Sequence, residues 1–122
     1  PVAEEIGNVR KYLEIQALRF GDKLCFAIVG EEAEFAVPPL IVQPLVENSI
    51  KHNVRKVEQL SIEVVLHSDE KGHHIRVVDS AQALLPDMLD RGQGLTFTKK
   101  RVENSRGTFT IVDGGSAISF PR

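Results

Sequence analysis

Glu47, Asn48, Lys51 and His52 bring a carboxylate, an amide, an amine and an imidazole into one short window. Together such groups can hold a hard cation, a phosphate and a water. Amide and carboxylate oxygens suit an ion such as Mg²⁺, which keeps several waters and takes further ligands from phosphates. On a wheel at about 100° per residue, a helix over residues 39–53 places Val42, Leu45, Val46, Ser49 and Ile50 on one side. Glu47, Asn48, Lys51 and His52 gather on the other, with Pro44. Burying each large aliphatic is worth about 1.5–3 kcal/mol, enough to fix the helix and give its polar side a defined direction. Periodicity alone favours an ordinary solvated face, so the case for a site rests on what the rest of the chain supplies.

Asp79 stands at the end of an alternating run, on the same face as Ile75 and Val77, so parity points it inward. An inward carboxylate needs a donor, and the exocyclic amine of adenine is one. The plainer alternative is a half-exposed Asp that caps the next turn. Gly92-Gln93-Gly94-Leu95 precedes a helical segment, and glycines at a helix N-terminus offer backbone N–H groups to phosphate. A plain loop with two turn glycines is the commoner meaning of such a pair. A Gly-Gly-hydroxyl turn, Gly114-Gly115-Ser116, follows near the end. The order in which these pieces occur carries more weight than any one of them.

The elements that must position these residues follow from periodicity. Val2, Ile6, Val9, Leu13, Ala17 and Phe20 recur at helical spacing, and Gly21 follows as a stop. Leu24 to Val29 is a short apolar strand. Pro38-Pro39 marks the start of the second helix, which runs to about His52. Ser61 to His67 alternates, and a strand from Gly72 ends at Asp79. Residues 80–93 are loop-like, a third helix covers about Leu95 to Ser105, and a hairpin joins Thr108–Val112 to Ala117–Phe120. Helices mixed with hairpin-like strand pairs predict an α/β (α+β) two-layer sandwich: one mixed sheet of about five strands with about three helices on one face.

The chain has 122 residues, 42% of them hydrophobic and 26% charged, which is the composition of one globular domain. A net charge of -2 without a basic tract argues against nucleic acid as a partner. Cys25 is the only cysteine, so no internal disulfide forms, and its simplest reading is a small buried hydrophobe in a reducing compartment. No apolar run has the roughly 20 residues that span a bilayer, so no membrane contact is expected of these residues. His67, His73 and His74 read as surface residues.

Leu40-Ile41-Val42-Gln43-Pro44-Leu45-Val46-Glu47-Asn48-Ser49-Ile50-Lys51-His52 is similar to the asparagine box of the LytS-like sensor histidine kinases. Tyr12-Leu13-Glu14-Ile15-Gln16 and Arg19-Phe20-Gly21-Asp22 resemble the segment that leads into that domain. The resemblance covers nearly the whole chain, more loosely in its C-terminal half. It implies a Bergerat ATP-binding fold, with residues 1–22 ending a dimerisation or linker helix and residues 23–122 forming the catalytic domain. It also implies a part of a two-component histidine kinase that binds Mg-ATP. Asn48 would hold Mg²⁺, Glu47, Lys51 and His52 would line the phosphate side, and Asp79 would accept from the adenine amine. Gly92 and Gly94 would bracket the far end of the ATP lid. Ser116 stands where the family usually has Thr, its hydroxyl within reach of Asp79. The implied partners are a phosphoacceptor helix upstream of residue 1, through which the kinase dimerises, and a response regulator. The implied location is the cytoplasmic side of a membrane-anchored bacterial protein.

The sequence also departs from the family. Where the first glycine box runs Asp-x-Gly-x-Gly, this chain has Asp79-Ser80-Ala81-Gln82-Ala83. If those positions need positive φ, each Ala costs about 1–2 kcal/mol; if they serve close approach, a methyl crowds the adenine. The lid is short, and Phe97 replaces a usual Asn. Pro44 stands where Bergerat ATPases carry a general base, which disfavours hydrolysis by water but leaves transfer to a histidine open. Two readings follow: a kinase catalytic domain, or a pseudokinase module of the same fold with little affinity for ATP.

Overall fold

The computed structural model describes residues 1–54, 57–81, 93–112 and 114–121; for His52 and residues 93–96 it describes the main chain only. Helix α1 (Val2–Phe20) buries Val2, Ile6, Val9 and Leu13 and ends at Gly21, whose φ of 60° suits glycine. Strand β1 (Leu24–Val29) follows, and Cys25 on it is exposed, not buried, with its Sγ 3.0 Å from Ser61 Oγ. Helix α2 spans Gln43–Asn53. It begins later than the Pro38-Pro39 pair predicts, because Leu40 adopts a φ of 57°, which no right-handed helix accommodates. Pro44 instead takes the first turn, where its missing N–H is no loss. Strands β2 (Leu60–Ser68) and β3 (Gly72–Asp79), helix α3 (Gln93–Asn104) and strands β4 (Thr108–Val112) and β5 (Gly115–Pro121) complete the order.

The sheet runs β1-β2-β3-β5-β4. β1 and β2 are parallel, and every other pair is antiparallel. Alternation sorts the faces: Ile62, Val64, Leu66, Ile75, Val77, Ile118 and Phe120 are buried with Val9, Leu13, Val46, Ile50 and Val102 of the helices. Glu63 and Arg76 on the opposite face are exposed. This is the expected mixed five-stranded sheet with three helices. The buried Glu5 accepts from the Ile41 N–H at 3.1 Å, which ties α1 to the approach of α2. Arg101 of α3 donates to the Pro39 carbonyl and holds the same approach from the other side.

At the end of α3 the chain turns with Gly107 N–H on the Val102 carbonyl at 2.8 Å and Arg106 N–H on the Glu103 carbonyl at 3.0 Å. This is a Schellman cap, whose left-handed residue is ordinarily glycine. Here that residue is Arg106, at φ 66°. Glycine stands one position later, where a Cβ would lie 2.7 Å from both Phe120 Cε1 and Val102 Cγ1.

The turn between β2 and β3 is bracketed by Asp69. Its carboxylate accepts from the Lys71 and Gly72 amides at 2.8 and 3.1 Å, and His74 Nε2 lies 3.0 Å away. The surface reading holds for His67 alone: His73 and His74 are half-buried and hydrogen-bonded to Ser68 and Ser119. The His74 hydrogen bond, opposed by desolvation and aided by the two amides, holds the Asp69 carboxyl at about 2 against an ordinary 3.8.

Because the folded carboxyl is the stronger acid, its stabilisation is present above the ordinary value and is lost as pH falls through about 2. In urea unfolding, Asp69→Asn therefore lowers the midpoint at pH 6, and the gap from the parent closes below pH 3. Arg106→Gly removes a left-handed side chain and raises stability by about 1 kcal/mol in the same measurement.

Candidate functional site

The end of β3 is where the helix layer meets a carboxylate. Asp79 is half-buried, and its backbone N–H donates to the Gly114 carbonyl at 2.7 Å. Gly114, at φ 83°, turns the β4–β5 hairpin toward this point. At Gly115 a Cβ would lie 1.9 Å from the Val77 carbonyl oxygen, so only glycine permits β5 to pass this close.

The Asp79 carboxylate is fastened to α2. Ser49 Oγ donates to Oδ2 at 2.5 Å, and Asn53 Nδ2 lies 3.5 Å from the same oxygen. Asn53 Nδ2 also donates to the Ser49 carbonyl at 2.9 Å, one turn back. Oδ1 accepts from the Ala81 N–H at 2.9 Å. Asn53 is 5% exposed and Ser49 7%, and Asn53 Oδ1 has no hydrogen-bond partner among the described residues. Two bonds orient the Asn53 amide, leaving one buried acceptor beside the Asp79 cluster.

Ser49 and Asn53 are one turn apart, so this ridge of α2 is the one that faces Asp79. At about 100° per residue, Asn48 and backbone position 52 lie on the flank beside the ridge. Glu47 and Lys51 lie toward the back. Burial agrees: Asn48 is half-buried, while Glu47 and Lys51 are exposed. Glu47 accepts from Gln43 Nε2 at 3.1 Å. It also sits near α1, where burial and then the Glu47 carboxylate push the Tyr12 phenol up, against Arg19. The polar stripe read from the wheel is thus divided between a flank near Asp79 and an outer face.

Ser116 is buried on β5, opposite Val77. Gly94 stands in the first turn of α3, and Gly92 lies outside the described residues, as does Ala83. Ala81 has no positive φ, so the backbone penalty considered for the missing glycine does not arise there. Its methyl packs against the core. Among the described residues no cluster of three or more His, Cys, Asp or Glu is placed to hold a metal ion, and no helix is long and apolar enough to cross a membrane.

Sequence reasoning passed over Ser49 and Asn53. Ser49 was counted with the apolar side, and Asn53 ended the helix without a role. The available signal is a pair of polar residues at i and i+4 on an otherwise apolar ridge, together with an inward Asp for which no donor within the chain is named.

No family model matches the chain. LytS of Enterococcus faecalis is 30% identical over 116 residues, covering 93% of this chain and 19% of that protein. The sensor histidine kinase BtsS of Escherichia coli is 30% identical over 110 residues, covering 87% of this chain and 19% of that protein. YwpD of Bacillus subtilis is 30% identical over 131 residues, covering 95% of this chain and 47% of that protein. The chain therefore spans less than half the length of each of these relatives. In fold it matches the catalytic domain of histidine kinase ThkA with a TM-score of 0.74 at 17% identity, over 98% of this chain and 91% of that one. It also matches the blue-light activated histidine kinase EL346 of Erythrobacter litoralis with a TM-score of 0.76 at 14% identity, over 99% of this chain and 42% of that one.

A double-mutant cycle of Ser49→Ala with Asp79→Ala in urea unfolding should give a coupling of about 1.5–3 kcal/mol, the range for a hydrogen bond to a charged group. A coupling near zero would mean that this contact does not hold the helix to the strand.

Proposed function

As a chain that belongs with the LytS-like sensor histidine kinases in sequence and shares the fold of histidine kinase catalytic domains, we propose that it binds Mg-ATP beside α2 and the end of β3 for phosphoryl transfer to a histidine outside these residues. The observation that carries this reading is the bonding of Asp79 to the Ser49–Asn53 turn. It sets an adenine-binding carboxylate next to the flank that bears Asn48.

The donor set fits the nucleotide. Asp79 is the carboxylate placed to accept from the adenine amine. The unmatched Asn53 Oδ1 beside it is an acceptor deficit that a donor-bearing group or a water would repair. Asn48 offers one neutral oxygen to Mg²⁺, enough for an ion that draws its other ligands from phosphates and water. When bound, the ion neutralises charge on the phosphates. His52, at a flank position of α2, serves the phosphate side; Lys51 and Glu47, on the outer face, serve it only where the phosphates extend past that flank. Gly94 offers its backbone N–H at the start of α3; the same role is proposed for Gly92, which lies outside the described residues. Ser116 braces the strand beside Asp79. Pro44 has no proton-accepting group, so nothing at that position activates water, and the γ-phosphoryl is kept for the histidine. Residues 1–22 act as the lead-in helix and 23–122 as the nucleotide domain. The phosphoacceptor helix, a dimer made through it, a response regulator, a membrane anchor elsewhere and a cytoplasmic location of this domain belong to the same reading.

A pseudokinase remains the second reading, and the half-buried methyl of Ala81 beside Asp79 favours it. Its argument is crowding of the adenine rather than backbone strain at residue 81.

Calorimetric titration with Mg-ATP decides between them. The kinase reading expects micromolar to millimolar binding that needs Mg²⁺ and weakens about tenfold or more in Asp79→Asn and Asn48→Ala. Binding indifferent to both substitutions overturns it. The pseudokinase reading expects little binding by the parent and a gain in the Ala81→Gly, Ala83→Gly double variant.

A further inference from the structure

A cavity lies on the helix-covered face, at the end of β3 away from Asp79. His73, Ile75, Val77 and Asp79 form one row facing the helices, and six residues at about 3.4 Å each put His73 about 20 Å from Asp79. At the His73 end a cavity of about 490 Å³ opens among Val37, Pro38, His73, Ser105, Arg106 and Phe120. That volume lies within the range of small-molecule sites. The nucleotide reading uses none of these residues.

The lining has the make-up of a ligand site: an apolar floor with a few convergent polar groups. Val37, Pro38 and Phe120 supply the floor. The His73 ring is fixed on both sides, stacked on Phe35 at 4.6 Å between centroids and hydrogen-bonded through Nδ1 to Ser68 at 2.8 Å. Its Nε2 makes no hydrogen bond among the described residues. Arg106 has no carboxylate partner among the described residues, and none of those that line the cavity is acidic. A guanidinium without a counter-charge beside an apolar floor complements an apolar body that carries an anion.

The backbone supplies an independent observation. Arg106 occupies the left-handed position of the α3 cap, where glycine would be unstrained, and so keeps its side chain at a conformational cost. The adjacent Gly107 is required by Phe120 and Val102. The strained residue is the one that brings charge to the cavity.

We propose that this cavity binds a small carboxylate with an aromatic or aliphatic body, the carboxylate on Arg106 and the His73 ring and the body on Phe120 and Val37. The site is separate from the nucleotide cleft and does not depend on it.

Naphthalene-1-carboxylate, titrated into the ¹⁵N-labelled chain and followed by NMR, tests the assignment, with naphthalene-1-methanol as the uncharged comparison. The expected result is saturable shifts at the amides of His73, Ser105, Arg106 and Phe120, and about tenfold weaker binding in Arg106→Gly, as loss of one charge-assisted hydrogen bond implies. Arg106→Lys should keep part of the affinity, and the alcohol should bind weakly to every form. The far-ultraviolet circular dichroism of Arg106→Gly should match the parent, which separates lost binding from lost folding. Shifts that do not saturate, equal binding of acid and alcohol, unchanged affinity in a folded Arg106→Gly, or shifts centred on Asp79 would each overturn the proposal.

Discussion

The hydrogen bonds between Asp79 and the Ser49–Asn53 turn set the rotation of α2 about its own axis. Apolar burial holds the helix on the sheet, but that force is non-directional, and a ridge of Val42, Leu45, Val46 and Ile50 tolerates some roll. A carboxylate at a strand end with a hydroxyl at 2.5 Å does not. One residue of roll is about 100° and would bring Asn48 or Ile50 to Asp79 in place of Ser49. The contact therefore decides which polar side chains flank Asp79 and which face outward. The close approach of β5 at Gly115 and the Asp79 N–H bond to Gly114 hold the carboxylate from the opposite side.

Strain is distributed away from this junction. The non-glycine residues at positive φ among those described are Leu40 and Arg106, one before α2 and one after α3. Ala81, next to Asp79, is unstrained and lends its N–H to the carboxylate. Under the proposed nucleotide reading, alanine at 81 would change the space beside Asp79 and not the backbone φ there.

Elements with strict periodicity were legible. Alternation fixed β2 and β3 nearly to the residue, and helical spacing with Gly21 fixed α1. Boundaries set by single φ values were not. The Pro38-Pro39 pair reads as a helix start, yet Leu40 turns left-handed and Pro44 takes the first turn. Cys25, His73 and His74 depart from the sequence reading for a related reason: composition says what a side chain prefers, whereas strand parity and neighbours decide where it goes. His73 shares the inward row with Ile75 and meets Phe35, which precedes it by 38 positions in the chain.

By itself the sequence determined the mixed sheet with its helices, the inward position of Asp79 and the candidate residues on α2, because period-2 and period-3.6 patterns are local properties that each segment carries alone. Packing of the folded elements brings Ser49 and Asn53 to Asp79, turns Glu47 and Lys51 outward, and puts His73 and Arg106 around one cavity. Those facts depend on the roll of one element against another. That roll is set by contacts between residues 26 and 30 positions apart in the chain, which no local spacing encodes.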